Sequence, residues 1–381
     1  MKKKLAILIY SLASGGAERV VSILLNELDK KYDLTLILMN DTIFYNITEN
    51  IEIIYIENSD PVESGIKKLI KLPYLAWKYK KICQKYEIDF SLSFMNRPNY
   101  INTLSKVFGS RAKILISERI APSQEYLTNS LKDKVSRRLI KYLYPKASVI
   151  IPNSCGIKID LMENFNIDNN IIKVINNPID LDKIKLLQSQ HVIIKKDNFN
   201  FITIGRLFEQ KNHDLLLESI LECDANLYII GEGELRNKLE EKIIKFKLED
   251  RVFLLGRKEN PYAYLKEADC FIFSSNYEGF PNVLLEALAC GLPIISTDCI
   301  SGPREILSPS TDVHFQTKSG IELSEYGILT PVGNKESLVD AIQLIISNQN
   351  LVNKYKKIAK KRASNFDKDI IINKFIEVIE N

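Results

Sequence analysis

Two carboxylates, Glu278 and Glu286, stand on either side of a Gly-Phe-Pro turn in the segment NYEGFPNVLLEALACGLPIISTD, residues 276–298. Carboxylates accept hydrogen bonds, so a pair bordering one crevice suits a ligand rich in hydroxyls, such as a sugar or a ribose. The apolar run CFIFSS before the turn reads as a strand, and Leu284, Leu285 and Leu288 form the stripe of a helix opening near Asn282. At such a turn the first helical N–H groups and the positive end of the helix dipole make an anion site, here fitting a diphosphate. Glu286 then falls about one turn inside the helix and Glu278 on the loop before it. The E-x7-E spacing alone carries little, because isolated acidic residues are mostly solvated. The strand, turn and helix around it make it a candidate site.

Other residues carry weaker signals. Gly231 and Gly233 follow the strand-like NLYIIGEG and imitate a dinucleotide fingerprint, but Arg236 replaces its third glycine, which favours a plain tight turn over a nicotinamide site. Asn96, Arg97 and Asn99 follow FSLSF, at the carboxyl end of a strand, where ligands bind in doubly wound sheets. They are candidate ligand contacts. IKKLIKLPYLAWKYKKICQKYE (66–87) interleaves seven lysines with Leu69, Leu72, Leu75, Trp77 and Ile82, with Pro73 interrupting a single helix. KDKVSRRLIKYLYPK (132–146) could extend the same face. This composition suits an anionic membrane surface, where each nearby basic residue adds roughly 1 kcal/mol. An amphipathic helix packed on its own sheet with a solvated lysine face would produce the same pattern.

The elements that must position these residues alternate strand and helix almost to the end, the pattern of βαβ units and parallel sheets. KLAILIY, LTLILMN, IEIIYIE, FSLSF, AKILISE and SVIIPNS are the strands of a first half. After VINNPIDLD the pattern restarts with NFITIGR, NLYIIGEG, VFLLGR, CFIFSS, LPIISTD and GILTPV. Two Rossmann-like, doubly wound α/β domains are expected, 1–178 and 179–367, with the helical segment 368–381 either capping its own domain or crossing back to the first. Asp180 and Asp367, in DLD and DKD, read as caps or turns and not as metal ligands. The polar stretch Leu307–Ser324 reads as a long loop. Lys2 to Lys4 before LAILIYSLA resemble a secretory signal, yet a buried first strand entering the helix of SGGAERVVSILLNEL fits better.

The bulk properties are those of a globular protein, with 45% hydrophobic and 26% charged residues in 381. No apolar run reaches the ~18 residues of a membrane span. Six scattered cysteines with no C-x-x-C pair suit a reducing compartment and argue against a zinc site. The net charge of +4 hides an asymmetry: residues 61–146 carry 18 Lys and Arg against 6 Asp and Glu. A phosphate-bearing partner should meet that half first. No nucleic-acid recognition module is apparent.

The blocks GRLFEQKN (205–212), IIGEGELR (229–236), FLLGR (253–257), SNYEGFPNVLLEALACGLPIISTD (275–298) and SGPREIL (301–307), with SGGAERV (14–20), resemble the retaining family 4 glycosyltransferases of GT-B fold. The resemblance implies two Rossmann-like domains facing across a cleft, with a nucleotide sugar on the second and an acceptor on the first. Arg206 and Lys211 match the family's basic pair, which neutralises the donor diphosphate without metal. Glu278 matches the glutamate that approaches the donor sugar, and Glu286 the one that binds ribose. Phe280, Pro281, Asn282 and Val283 match the turn facing diphosphate and sugar, and Gly15 and Gly16 the first-domain loop that closes over the diphosphate. Gly231 and Gly233 fall at the nucleotide crevice, while Gly256 and Arg257 match backbone contacts to the base and favour uridine. Many relatives carry a histidine where ISERIAP has Arg119, so that contact is absent or assumed by a cation; Glu118 and Arg119 could equally form a structural ion pair.

IYSLASGGAERVV (9–21), LILMN (36–40) and FMNRPNYI (94–101) resemble a narrower group, bacterial N-acetylgalactosaminyltransferases that build lipid-linked oligosaccharides for N-linked protein glycosylation. This implies UDP-GalNAc as co-substrate, a glycan on undecaprenyl diphosphate as acceptor, an alpha-1,4 linkage, and a cytoplasmic enzyme peripheral on the inner face of the membrane. For such an acceptor, or its diphosphate, Asn96, Arg97, Asn99 and Arg119 are the candidate contacts. No cofactor is implied. Alternatives are a hexosyltransferase of lipopolysaccharide or capsule assembly using another UDP-sugar, a nucleotide-sugar epimerase of the same fold, and a non-catalytic membrane adaptor.

Overall fold

The computed structural model describes residues 2–60, 63–128 and 130–381. Its chain forms two compact units, Met1–Pro178 with Lys368–Asn381, and Ile179–Asp367. In the first, six parallel strands β1 (Lys4–Ile9), β2 (Asp33–Leu38), β3 (Glu52–Tyr55), β4 (Phe90–Phe94), β5 (Lys113–Glu118) and β6 (Val149–Pro152) lie in the order β3-β2-β1-β4-β5-β6. Leu5 to Ile9 are fully buried, and β1 pairs with both β2 and β4. The apolar run at the N-terminus is thus a central strand covered on both faces.

The second unit repeats the plan. Strands β7 (Phe199–Ile204), β8 (Ala225–Ile230), β9 (Val252–Gly256), β10 (Cys270–Phe273), β11 (Ile294–Thr297), β12 (Glu322–Leu323) and β13 (Ile328–Thr330) take the order β12-β13-β11-β10-β7-β8-β9. Only β12 is antiparallel. Both sheets reverse direction of growth once, between β1 and β4 and between β7 and β10, which opens a crevice beyond the carboxyl ends of those strands. Those two switch points are where ligands are expected, and the loops after β1, β4, β7 and β10 border them. The stretch read as a long loop ends in the short edge strand β12, which the sequence pattern did not announce.

The helix Lys368–Glu380 returns to the first unit, where Ile371, Ile372, Phe375 and Ile379 are buried with Val20, Leu24 and Leu28. Four buried side chains of this size contribute roughly 6–12 kcal/mol before entropy is charged against them. The pairs Lys31–Glu380 (2.8 Å) and Lys368–Glu27 (3.2 Å) are more exposed, and such pairs contribute about 0–1 kcal/mol each. Apolar packing therefore fixes the helix, and the ion pairs set its register. At the other junction Asp180 caps the helix Leu181–Leu187 by accepting from the Lys183 N–H at 3.0 Å.

Candidate active site

The loop after β7 and the loop after β10 are laced together at the second switch point. The Asn276 N–H donates to the Gln210 carbonyl (2.8 Å), the Gln210 amide to the Tyr277 carbonyl (2.8 Å), and Ser274 Oγ to the Lys211 carbonyl (2.7 Å). A short 3-10 turn, Glu209–Lys211, precedes Asn212, whose left-handed backbone (φ +48°) starts the next helix. This geometry aims Lys211 across the crevice, where Nζ donates to Glu278 Oε1 and sits 5.3 Å from the centre of the Phe273 ring. Arg206 stands on the same loop, exposed, its guanidinium 4.9 Å from the Phe208 ring centre. Lys211 and Glu278 thus meet beyond β7 and β10, with Arg206 on the same loop as Lys211.

The helix Asn282–Cys290 begins directly after the Gly-Phe-Pro turn, with Pro281 as its N-cap and no side-chain cap. A Ser or Asp at the cap would answer one of these N–H groups with its side chain, which proline cannot do. Phe280 turns inward, its ring 5.5 Å from that of Phe366, so the backbone of the turn and not the phenyl group faces the crevice. Leu284, Leu285 and Leu288 are fully buried, and Gly291 (φ +84°) ends the helix. Asn282 and Val283 are half-buried on its first turn, and Glu286, one turn on, is 1% exposed. Glu278 is on the loop, as its position before the helix requires.

Gly231 and Gly233 serve a close approach of backbone. A Cβ on Gly231, whose φ is +153°, would lie 1.8 Å from the Gly205 carbonyl oxygen, and one on Gly233 would lie 2.5 Å from that of Leu207. These glycines seat the loop after β8 against the segment carrying Arg206, secured by Leu207 N–H to the Glu232 carbonyl (2.9 Å). Arg236 is held by Glu232 and Glu240 at 2.7 and 2.9 Å. Gly256 (φ +69°) ends β9, and Arg257 after it is exposed.

Residues 14–183 match the model of Glycosyltransferase Family 4, and residues 185–362 that of Glycosyl transferases group 1. A Campylobacter jejuni protein named as an N-acetylgalactosamine-N,N'-diacetylbacillosaminyl-diphospho-undecaprenol 4-alpha-N-acetylgalactosaminyltransferase is 41% identical over 368 residues, 96% of each chain. This chain belongs to the family 4 glycosyltransferases. A second C. jejuni relative, named as a GalNAc-alpha-(1->4)-GalNAc-alpha-(1->3)-diNAcBac-PP-undecaprenol alpha-1,4-N-acetyl-D-galactosaminyltransferase, is 26% identical over 99% of this chain and 98% of its own. The crystal structure of Anabaena Alr3699/HepE in complex with UDP and glucose shares the fold, with a TM-score of 0.79 at 20% identity over all of both chains.

In the first unit of this glycosyltransferase, Gly15 ends the loop after β1 and Gly16 opens the helix Gly16–Leu28. Tyr45 donates to the Gly15 carbonyl at 3.2 Å, and the Glu18 side chain occupies the space a Cβ on Gly15 would need. Asn96 and Arg97 open the helix Asn96–Val107 after β4, behind Met95, whose φ of +74° is unusual for a non-glycine residue. Asn96 donates to Glu125 (2.6 Å) and Tyr126 (2.8 Å), and Arg97 to Ser59 (3.1 Å), with Glu57 2.9 Å away.

Two expectations about this unit need correction. Asn99 is 0% exposed: its amide donates to the Ser117 carbonyl (2.9 Å) and accepts from Ser93 (2.8 Å), so it ties β4 to β5 and cannot face an acceptor. Arg119 is buried too and donates to Ser117 and Asn177, with Phe94 beneath it, so its side chain is turned to these partners and neither to an acceptor nor to a pair with Glu118. Burial lowers its guanidinium to about 10 and raises the Glu118 carboxyl to about 8. The Tyr144 hydroxyl lies 2.5 Å from Glu118 Oε2 and 3.1 Å from the Asn96 amide oxygen, which connects this buried acid to the switch point.

The basic segments are divided differently from the sequence reading. Pro73 does mark a break, between helices Gly65–Ile70 and Leu72–Lys85. Leu72 and Leu75 belong to the core, and Leu69 and Ile82 pack against it. Of the five apolar residues named for the outer face, only Trp77 is exposed; Ile66, Ile70 and Tyr74 join it, and Leu131 and Tyr142 are exposed on the helix Leu131–Leu143. No helix of the described residues is long and apolar enough to cross a membrane. Ser301 also belongs to the site, and its Oγ donates to the Glu278 carbonyl at 2.6 Å. SGPREIL had marked this segment without saying what it touches.

Proposed function

We propose that this glycosyltransferase moves N-acetylgalactosamine from UDP-N-acetylgalactosamine to an oligosaccharide on undecaprenyl diphosphate, forming an alpha-1,4 linkage in the assembly of protein N-glycans. One observation carries the reading: the 41% identity to the C. jejuni enzyme over 96% of both chains. Its agreement over both units supports a shared acceptor as well as a shared donor.

The donor occupies the second unit in this proposal. Lys211 and Arg206 neutralise the departing diphosphate, helped by the start of the helix Asn282–Cys290, so no metal ion is required. Glu278 holds the sugar, Glu286 the ribose, and the backbone at Gly256 and Arg257 the uracil. Lys211 already sits on Glu278, which ties the sugar contact to the diphosphate contact. Retention follows from attack on the face that the phosphate leaves, with a phosphate oxygen taking the acceptor's proton. The backbone at Gly15 and Gly16 suits phosphate, and Asn96 and Arg97 contact the acceptor. The exposed Ile66, Ile70, Tyr74 and Trp77 among the lysines of 66–87, with the basic residues of 132–146, rest on the anionic inner face of the membrane.

The test is to offer a panel of nucleotide sugars with a polyprenyl-diphosphate oligosaccharide and to weigh the products. The expected result is one N-acetylhexosamine added to the glycolipid, from UDP-GalNAc alone. Transfer only to a water-soluble acceptor would overturn the lipid-linked reading. Donor turnover without acceptor would point to an epimerase, and binding without turnover to an adaptor.

A further inference from the structure

Beyond the crevice, Arg304 makes the most extensive buried polar contact network of the second unit. It is 3% exposed, on the short helix Pro303–Leu307. Nε and Nη2 both reach Asp298 Oδ2 (3.2 and 2.5 Å), and Nη2 also reaches Glu322 Oε2 (2.7 Å) and Thr317 Oγ1 (3.1 Å). Nη1 donates to Thr311 Oγ1 (2.9 Å) and Glu322 Oε1 (3.2 Å), and the Phe315 ring centre lies 4.8 Å from the guanidinium carbon. Asp298, 1% exposed, accepts in addition from the Thr317 N–H at 2.7 Å. A lysine has one nitrogen and could not serve these partners together.

The placement of this network is the informative point. Asp298 follows β11 and Arg304 lies six residues on, so their contact closes the two ends of the short connection 299–302. That connection lies on the sugar-facing turn. Ser301 Oγ donates to the Glu278 carbonyl at 2.6 Å, and at Gly302 (φ +92°) a Cβ would meet Pro281 Cδ at 2.5 Å and the Gly279 carbonyl oxygen at 2.8 Å. The turn has no side-chain cap of its own. Part of its support comes from this outside brace.

We propose that Arg304 is a positioning residue for the donor sugar: through Asp298 it fixes residues 299–302, and through Ser301 and Gly302 these hold Glu278 in place. The proposal rests on the reading of Glu278 as the sugar contact. Arg206 and Lys211, the cations assigned to the diphosphate, and the base contact at Gly256 lie on the loop after β7 and at the end of β9, outside the brace, so most nucleotide contacts are separate from its action. A displacement of the order of 1 Å at such a group lowers turnover about 100-fold.

The test compares Arg304→Lys, Ser301→Ala and the double variant by kcat, by KM for the donor and by UDP affinity, with thermal unfolding as the fold control. Expected is a fall in kcat of about 10- to 100-fold for Arg304→Lys and a smaller fall for Ser301→Ala. UDP affinity should stay within about twofold, and the double variant should lose less than the product of the single losses. Should Arg304→Lys not fold, Ser301→Ala still reads the last link. Normal kcat in the folded variants, or a parallel loss of UDP affinity, overturns the proposal. Glu278→Ala separates the two readings: if it retains turnover, the donor-site assignment fails, and if it is inactive while Arg304→Lys and Ser301→Ala are normal, only the brace fails.

Discussion

Lys211 reaches from the loop after β7 to the Glu278 carboxylate on the loop after β10, spanning the point where the second sheet reverses its order of growth. The two residues are 67 positions apart and both mostly buried, so the contact is a product of topology and not of local sequence. In the proposed function it also joins two tasks, charge at the diphosphate and hydrogen bonding at the sugar.

Stability and turnover should therefore separate at this pair. Lys211→Met leaves a carboxylate mostly buried without its cation and is expected to cost about 1–3 kcal/mol of stability. Adding Glu278→Gln should recover most of that loss. Turnover should fall about 100- to 1,000-fold in Lys211→Met, the range found when one donor to a developing negative charge is removed, and the second substitution should not restore it. Thermal unfolding and initial rates on the same samples decide the matter, and recovery of rate along with stability would reduce the pair to a structural role.

The proposed chemistry assigns the leaving diphosphate to Arg206, Lys211 and a helix start. Turnover is accordingly expected to be unchanged after exhaustive treatment with EDTA. A loss that added magnesium or manganese repairs would return the diphosphate to a metal ion and leave the basic pair without its assigned work.

The parts of the site that were legible in sequence share a cause. Glu278, Pro281, Asn282 and Glu286 lie within one strand, turn and helix, so short-range pattern places them, and Leu284, Leu285 and Leu288 orient that helix by burial. Both sheets were readable because central parallel strands are continuous apolar runs. What could not be read were facts of long range. Asn99 and Asn96 look alike on paper and share one helix face, yet Asn99, one turn deeper, bonds Ser93 of the sheet while Asn96, at the helix start, bonds Glu125. Leu72 and Leu75 resemble Ile70 and Tyr74 in the same way, and only the packed unit says which pair is core. β12 is two residues long and pairs only at an edge, too short to leave a pattern.

Glu118 gives the first unit a pH dependence of definite sign. Its buried carboxyl is raised from 4.5 to about 8, so the native state favours the protonated acid. A folded-state pKa above the unfolded value makes a carboxyl stabilising at low pH, and that contribution is lost as pH rises from about 4.5 through about 8. By pH 8 the loss is on the order of 4 kcal/mol. Glu118→Gln keeps an acceptor for Tyr144 without an ionisation and should remove this slope, making the variant the more stable protein near pH 8. Urea unfolding at a series of pH values is the measurement, and parallel curves for the two proteins would show that Glu118 does not titrate in this range.

The exposed apolar residues beside the lysines of the first unit can be tested against their buried neighbours. Burying a Trp or Ile side chain contributes roughly 1.5–3 kcal/mol, so Ile70→Ser with Trp77→Ser should weaken binding to anionic phosphatidylglycerol vesicles by at least about tenfold. Thermal stability should stay near that of the parent, because both side chains already face outward. Leu75→Ala should do the reverse: its side chain is in the core, and removing it is expected to cost about 2–5 kcal/mol of stability with little direct effect on vesicle binding. The electrostatic share is read by salt, since screening beyond about 10 Å at 0.1 M should weaken the attraction of the many lysines while sparing the apolar share. Cosedimentation with vesicles at low and high salt gives both terms. Equal binding by the parent and the Ile70→Ser/Trp77→Ser variant at high salt would remove the apolar face from the membrane contact and leave attraction by charge alone.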